Sequence, residues 1–379
     1  MWMVAAIWMA LAAISALIAI RIKMPAALAE IIIGMLAGNF IVLHTNAWID
    51  FVAGFGSILL TFLAGAEIDP VVLRKQLIPS TVLGAASFLA PFLATMGYAL
   101  FIAHWTAPAA KIAGLAMSTT SVAVVYAVMV ETGLASREFG QLILAACFFT
   151  DLGTVAALGL LFANYNLWLA LLIAGIIAGM IVMPKLLPAV VERTRRYVSE
   201  PGLRILFAVI FILAGLATYA GSEGVLPAYF LGIACAGFMF TYPDVKRRLQ
   251  TMTMTLLAPF YFIKAGTYIS VSAVAGSAWL IVILFFIKIV AKVAAVLPIA
   301  RYAFRYTPNN ASYLTLMMAT GLTFGTISSL YGLTHHYINQ AQYTALVTVV
   351  ILTAIVPTLV AQGLFKPAEE PEEMEAEVP

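Results

Sequence analysis

The sequence predicts an all-α membrane protein of 13 transmembrane helices, built as two inverted six-helix repeats around a linker helix. Three observations carry that prediction. The 379 residues are 63% hydrophobic and 10% charged, where a soluble domain carries about a quarter charged residues. Mean hydropathy is +1.03. Apolar runs of about 20 residues, the length a bilayer core requires, follow one another along the chain.

These runs cover 2–20, 25–43, 51–68, 77–103, 109–130, 139–163, 167–190, 202–220, 225–241, 252–270, 277–303, 311–332 and 341–364. Residues 1–20 lack a basic leading segment, and Arg21 and Lys23 follow them. The first run therefore reads as a retained span, not a cleaved signal. The transmembrane domain is expected over 1–365, with repeat one at 1–163, the linker helix at 167–190 and repeat two at 202–365. Residues 366–379 form an acidic tail, expected to be cytoplasmic and disordered.

Orientation follows from the basic loops. Arg21 and Lys23, Arg74 and Lys75, Arg137, Lys185 with Arg193, Arg195, Arg196 and Arg204, Lys246 to Arg248, and Arg301 with Arg305 fall in alternate loops. The other loops hold only Lys111. This places the N-terminus outside and the C-terminus inside. The net charge of +3 averages basic loops with an acidic tail and points to no nucleic-acid partner.

The repeat shows as short matches at one offset. Phe62–Asp69 resembles Ile263–Ser270, and Leu115–Thr120 resembles Leu316–Gly321, both 201 residues apart. Pro25-Ala26 and Pro227-Ala228 open the second span of each half. One span between two six-helix units inverts the second unit. Inverted repeats mark secondary transporters, with the site near the midplane.

Six charged residues remain at membrane depth: Glu30, Glu67, Asp151, Lys264, Lys288 and Lys292. Asp151 sits mid-span in Gly140–Leu161, where a charge costs about 2.5–3.5 kcal/mol on insertion scales. Such an acid is a functional candidate; the bland alternative is a neutral Asp tying two helices together. Lys288 and Lys292 share one helix face, expected to look into the bundle or a wet cavity. One of the two is a candidate for snorkelling, and Lys288 is the better candidate for a structural role.

Span five contains Met117-Ser118-Thr119-Thr120-Ser121, and span twelve contains Thr320, Gly321 and Thr323. Hydroxyl and glycine runs are places where a membrane helix unwinds and its freed carbonyls bind a cation. Close packing through small residues is the alternative. Adjacent His335 and His336 diverge in direction and suggest no shared metal. Trp8, Trp105, Trp168 and Trp279 are expected at the interfaces. Cys147 and Cys235 look like small core residues.

The chain resembles the second family of monovalent cation:proton antiporters, the Kef-type and Nap-type group. The stretches that carry the resemblance are Arg21–Asn39, Leu60–Pro70, Thr119–Val130, Phe149–Gly153, Pro259–Gly266 and Ala291–Arg301. It covers nearly the whole chain and implies an NhaA-like fold with crossed broken helices five and twelve, and a homodimer. It also implies a multi-pass protein of a prokaryotic inner or plasma membrane that is not an enzyme and needs no cofactor. Asp151 matches the ion-binding aspartate, and Thr119, Thr120 and Ser121 the broken helix beside it. Lys292 matches the membrane lysine, with Lys288 as competitor. Thr150 stands where relatives carry Asp or Asn, which leans towards electroneutral exchange. Lys264 replaces a small or apolar residue, and Glu67 is its expected partner. The cytosolic nucleotide-binding domain of full Kef systems is not expected here.

The expected mechanism is competition of a proton with Na+, or K+ as second choice, for the Asp151 carboxylate. Removal from water penalises a charged carboxylate and a bound cation favours it. Threonine and serine hydroxyls would complete an oxygen shell. Two alternatives are a sodium-coupled symporter of an organic anion, drawn to Lys264, Lys288 and Lys292, and a non-transporting membrane sensor.

Overall fold

The computed structural model describes residues 2–22, 25–40, 45–67, 75–135, 137–162, 166–194, 200–220 and 224–367. Lys23, Asp69, Arg74, Arg195, Arg196 and the tail beyond 367 lie outside the described residues.

All regular structure among the described residues is helical. The elements are α1 (Trp2–Ile22), α2 (Ala26–Phe40), α3 (Ala47–Ala66), α4 (Leu77–Gly97), α5 (Ala107–Ser118), α6 (Val122–Glu131), α7 (Glu138–Phe162), α8 (Leu167–Thr194) and α9 (Pro201–Tyr219). There follow α10 (Val225–Thr241), α11 (Pro243–Met252), α12 (Ala258–Thr267), α13 (Val271–Gly276), α14 (Ala278–Pro298), α15 (Pro308–Met318), α16 (Thr323–Thr334) and α17 (Gln340–Leu364). Among the described residues, nine helical stretches are long and apolar enough to cross a membrane, and α2 and α10 are shorter apolar helices.

Local sequence sets the ends. Asn46 accepts from the Ile49 amide at 3.2 Å, with Asp50 in the first turn of α3, where a carboxylate favours the helix dipole. Asn339 and Gln342 form a capping box at the start of α17. Prolines open α9, α11 and α15, where the missing N–H costs nothing.

One local structure occurs twice, 201 residues apart. A π-type turn spans Tyr98–Ile102 after α4, and another spans Ile299–Ala303 after α14. His104 (φ 52°) and Arg305 (φ 57°) then take left-handed backbone. Trp105 N donates to Ala99 O at 2.7 Å, and Tyr306 N to Ala300 O at 3.1 Å. Thr106 caps α5 and Thr307 caps α15. The hydroxyl-rich stretches come next. The helical ladder stops at Thr119–Ser121 between α5 and α6, and at Ala319–Leu322 between α15 and α16.

Two helix pairs pack backbone against backbone: α2 with α12, and α3 with α10. A Cβ on Gly266 would fall 2.2 Å from Ile31 O, and one on Gly65 2.4 Å from Tyr229 O. Small residues are what allow such approach between membrane helices. Around this centre, α1, α8, α9 and α14 expose apolar side chains such as Leu17, Ile177, Ile212 and Phe286, which a bilayer would cover. Trp8 departs from the expected interfacial position. It is fully buried and stacks on Phe260 at 5.4 Å, because α1 packs on α2 and α12 instead of standing clear.

Candidate functional site

α7 packs against α4, α5, α6, α10, α15 and α16. Its central acid is thus inside the bundle, away from lipid. Asp151 is 2% exposed, and its Oδ1 has no hydrogen-bond partner among the described residues. Its charged neighbours are Lys292 and Glu67. Thr150, one residue before, turns its hydroxyl back to Cys147 O at 2.6 Å.

The two helix interruptions touch. Ser121 N donates to Thr320 O at 3.2 Å, and Thr120 Oγ1 donates to Met318 O at 2.8 Å. Carbonyls orphaned at the end of α15 thus find donors from the other break. Thr119 Oγ1 donates to Ala116 O at 3.2 Å, and Thr320 Oγ1 to Met317 O at 2.9 Å. Thr323 begins α16 and is half-buried.

Lys292 joins this crossing to the rest of the bundle. Its fully buried ammonium donates to Ser87 Oγ at 2.7 Å, Ser118 O at 2.9 Å and Thr120 Oγ1 at 3.0 Å. An ammonium has three protons, so these bonds use all of them. Ser118 O is the last carbonyl of α5, where positive charge offsets the helix dipole. Lys292→Met is expected to lower stability by about 2–3 kcal/mol, the range for lost charged hydrogen bonds. Thermal unfolding of the detergent-purified variant checks it.

Lys288 does not snorkel; it turns into the bundle, as the face it shares with Lys292 is expected to. It is fully buried and donates to Thr353 Oγ1 at 3.1 Å. A Cβ at Gly321 would lie 2.3 Å from its Nζ and 3.1 Å from Thr119 Oγ1. The bare glycine in the second break leaves room for the ammonium, which explains why it reaches inward.

Lys264 departs from expectation. It pairs with Asp50 at 2.7 Å, not with Glu67. The cause is antiparallel register: Gly56 of α3 lies against the Leu257 carbonyl. Lys264, later on α12, therefore meets the beginning of α3. Glu67, at the far end of α3, instead accepts from Gln250 Nε2 at 3.4 Å and has Lys246 as its charged neighbour. Glu30 is buried on α2, 4% exposed, apart from the elements that pack on α7.

Four partners escape sequence reasoning: Ser87, Thr353, Asp50 and Tyr229. Tyr229 is buried on α10, donates to Phe148 O at 3.1 Å, and packs its ring on Phe148 at 5.6 Å and Phe324 at 6.0 Å. Lone hydroxyls in apolar helices carry no periodic signal. Asp50 reads as a loop residue because the third apolar run begins one residue later.

Residues 9–366 match the family described as sodium/hydrogen exchanger, transmembrane. The chain is 22% identical to the putative Na(+)/H(+) antiporter YjbQ of Bacillus subtilis, over 93% of this chain and 61% of that protein. It thus spans about three-fifths of that relative's length. It is 23% identical to the Na(+)/H(+) antiporter of Enterococcus hirae, over 91% of this chain and 93% of that one. The solved structure of the sodium proton antiporter MjNhaP1 from Methanocaldococcus jannaschii superposes with a TM-score of 0.72 at 15% identity, covering 96% of this chain and 98% of that chain. At that identity the likeness speaks for the fold.

Proposed function

We propose that this chain, which belongs to the sodium/hydrogen exchanger family, exchanges a monovalent cation for protons across the cell membrane, with Na+ as first choice and K+ second. The observation that carries the reading is the buried acid beside the two helix breaks. Asp151 lies on a helix packed against both interrupted spans, with an Oδ1 that no protein donor among the described residues occupies. A carboxylate so placed binds either a proton or a metal ion, and each neutralises it. The neutral site crosses the apolar barrier at lower cost than the charged one, so the two fluxes are coupled.

The names of the relatives support the same activity, and the family favours neither the organic-anion symporter nor the sensor. Thr119, Thr120 and Ser121 supply the oxygen-rich surround, and Lys292 holds the crossing in shape. Thr150 has no titratable group, which supports electroneutral stoichiometry. The repeated turn, cap and break at an offset of 201 residues support two related halves. Alternating basic loops support the N-out, C-in orientation. The homodimer rests on the family resemblance alone, and mass photometry of the solubilised protein tests it.

Competition for one carboxylate fixes the pH dependence. Apparent KM for the cation rises as pH falls, approaching about tenfold per unit in acid, and levels off where the carboxylate is ionised. Dye-reported proton movement in proteoliposomes, titrated with Na+ and K+ at several pH values, reads this directly. A KM indifferent to pH would remove the shared site. Solid-supported-membrane currents on the same liposomes decide stoichiometry, since dye response without current means electroneutral exchange.

A further inference from the structure

A cavity of about 140 Å³ opens beside the Asp50–Lys264 pair. Asp50, Ser57 and Lys264 line one wall, from α3 and α12; Leu330, Tyr331 and Thr334 of α16 line the other. It therefore lies between the glycine-packed helices and the helix that follows the second break. Val225 also borders it, and Tyr229 stands one turn further along α10, against Phe148 and Phe324. One turn of α10 thus separates the cavity's edge from the aromatic layer on α7.

The pair is asymmetric. The Asp50 side chain is 47% exposed and that of Lys264 only 11%. The carboxylate meets water while the ammonium reaches it from the buried side. Held at 2.7 Å, the ammonium occupies the place at the carboxylate that a free cation would take.

We propose that Asp50 captures the monovalent cation at one mouth of the exchanger, and that the Lys264 ammonium is the tethered competitor that sets how readily the cation enters. The inference rests on the exchange reading above. A cation reaching the cavity is attracted by Asp50 and opposed by Lys264, so the two residues act on entry with opposite sign. A purely structural ion pair has no such property, because loss of either partner breaks the same contact.

The test uses right-side-out and everted membrane vesicles carrying the full chain, with Na+ titrated against choline at constant ionic strength. Lys264→Gln is expected to lower the apparent KM for Na+ by about three- to tenfold, and Asp50→Asn to raise it similarly, the scale of local counter-ion concentration. Both changes appear on one membrane face only, with maximal rate little altered. Asp50→Cys adds a second reading, since Cys147 and Cys235 are buried and the new thiol is the exposed one. A negatively charged methanethiosulfonate brings the raised KM of the Asp50→Cys variant back towards the wild-type value, and a positively charged one raises it further. Changes of equal sign in the two charge-removing variants, equal effects on both faces, or indifference to reagent charge would overturn the capture site. Absence of exchange by the wild type would overturn the exchange reading instead.

Discussion

Asp151→Asn is expected to abolish cation-dependent proton movement while the protein still folds. The substitution keeps the shape and removes the only property the mechanism uses, a carboxylate that takes up either ligand. Proteoliposome rates should fall below about 1% of wild type, which corresponds to at least ~2.7 kcal/mol. Stability should hold or rise, because an amide is cheaper to bury than a carboxylate and Oδ1 gives up no hydrogen bond to the described residues. Thermal unfolding in detergent supplies that control, and Na+ should stabilise the wild type but not the variant. Asp151→Glu retains a carboxylate on a longer arm and should keep part of the activity with altered cation affinity. Normal exchange by a folded Asp151→Asn protein would end the shared-site mechanism.

The residues legible in advance are those whose signal is local. A bilayer imposes a length and a polarity on each helix, so composition alone points to an all-helical membrane protein. Asp151 stands out because no other charge lies near it in an apolar run, and Lys292 because it shares a face with Lys288. The hydroxyl runs mark both breaks, since a run of Thr and Ser weakens helix against unwound backbone. What stays hidden depends on how helices pass one another. Glu67 is the expected partner of Lys264, yet antiparallel register carries the lysine to Asp50 at the opposite end of α3. The face of Lys288 and Lys292 is expected to look inward, but the space that Lys288 fills there belongs to Gly321, distant in sequence. Trp8 likewise looks interfacial until α1 is packed against Phe260. Sequence period reports which face is apolar; it does not report what covers that face.

The same geometry makes a second prediction with a large effect. Gly65→Val and Gly266→Val should each prevent assembly of the folded protein, and to a similar degree. At both positions the nearest obstacle to a side chain is a main-chain oxygen, Tyr229 O at 2.4 Å and Ile31 O at 2.2 Å. A side-chain obstacle rotates away; a helix backbone moves only with its whole helix. Overpacking a core by a few methylenes typically costs about 1–3 kcal/mol, and parting two helices in direct backbone contact should exceed that range. Gly237 sits on the same α10 with nothing within 4 Å of its would-be Cβ. Gly237→Val should therefore be neutral or slightly stabilising, by under about 1 kcal/mol, because valine is the better helix former. Size-exclusion profiles and unfolding temperatures of the three variants give the comparison. Gly65 and Gly266 stand 201 residues apart, at the joints of α3 with α10 and of α12 with α2. If the halves are two copies of one unit, these joints are the same joint seen twice, and equal damage follows. A variant at either position that folds and exchanges like the wild type would break that equivalence and remove the packing basis for the repeat.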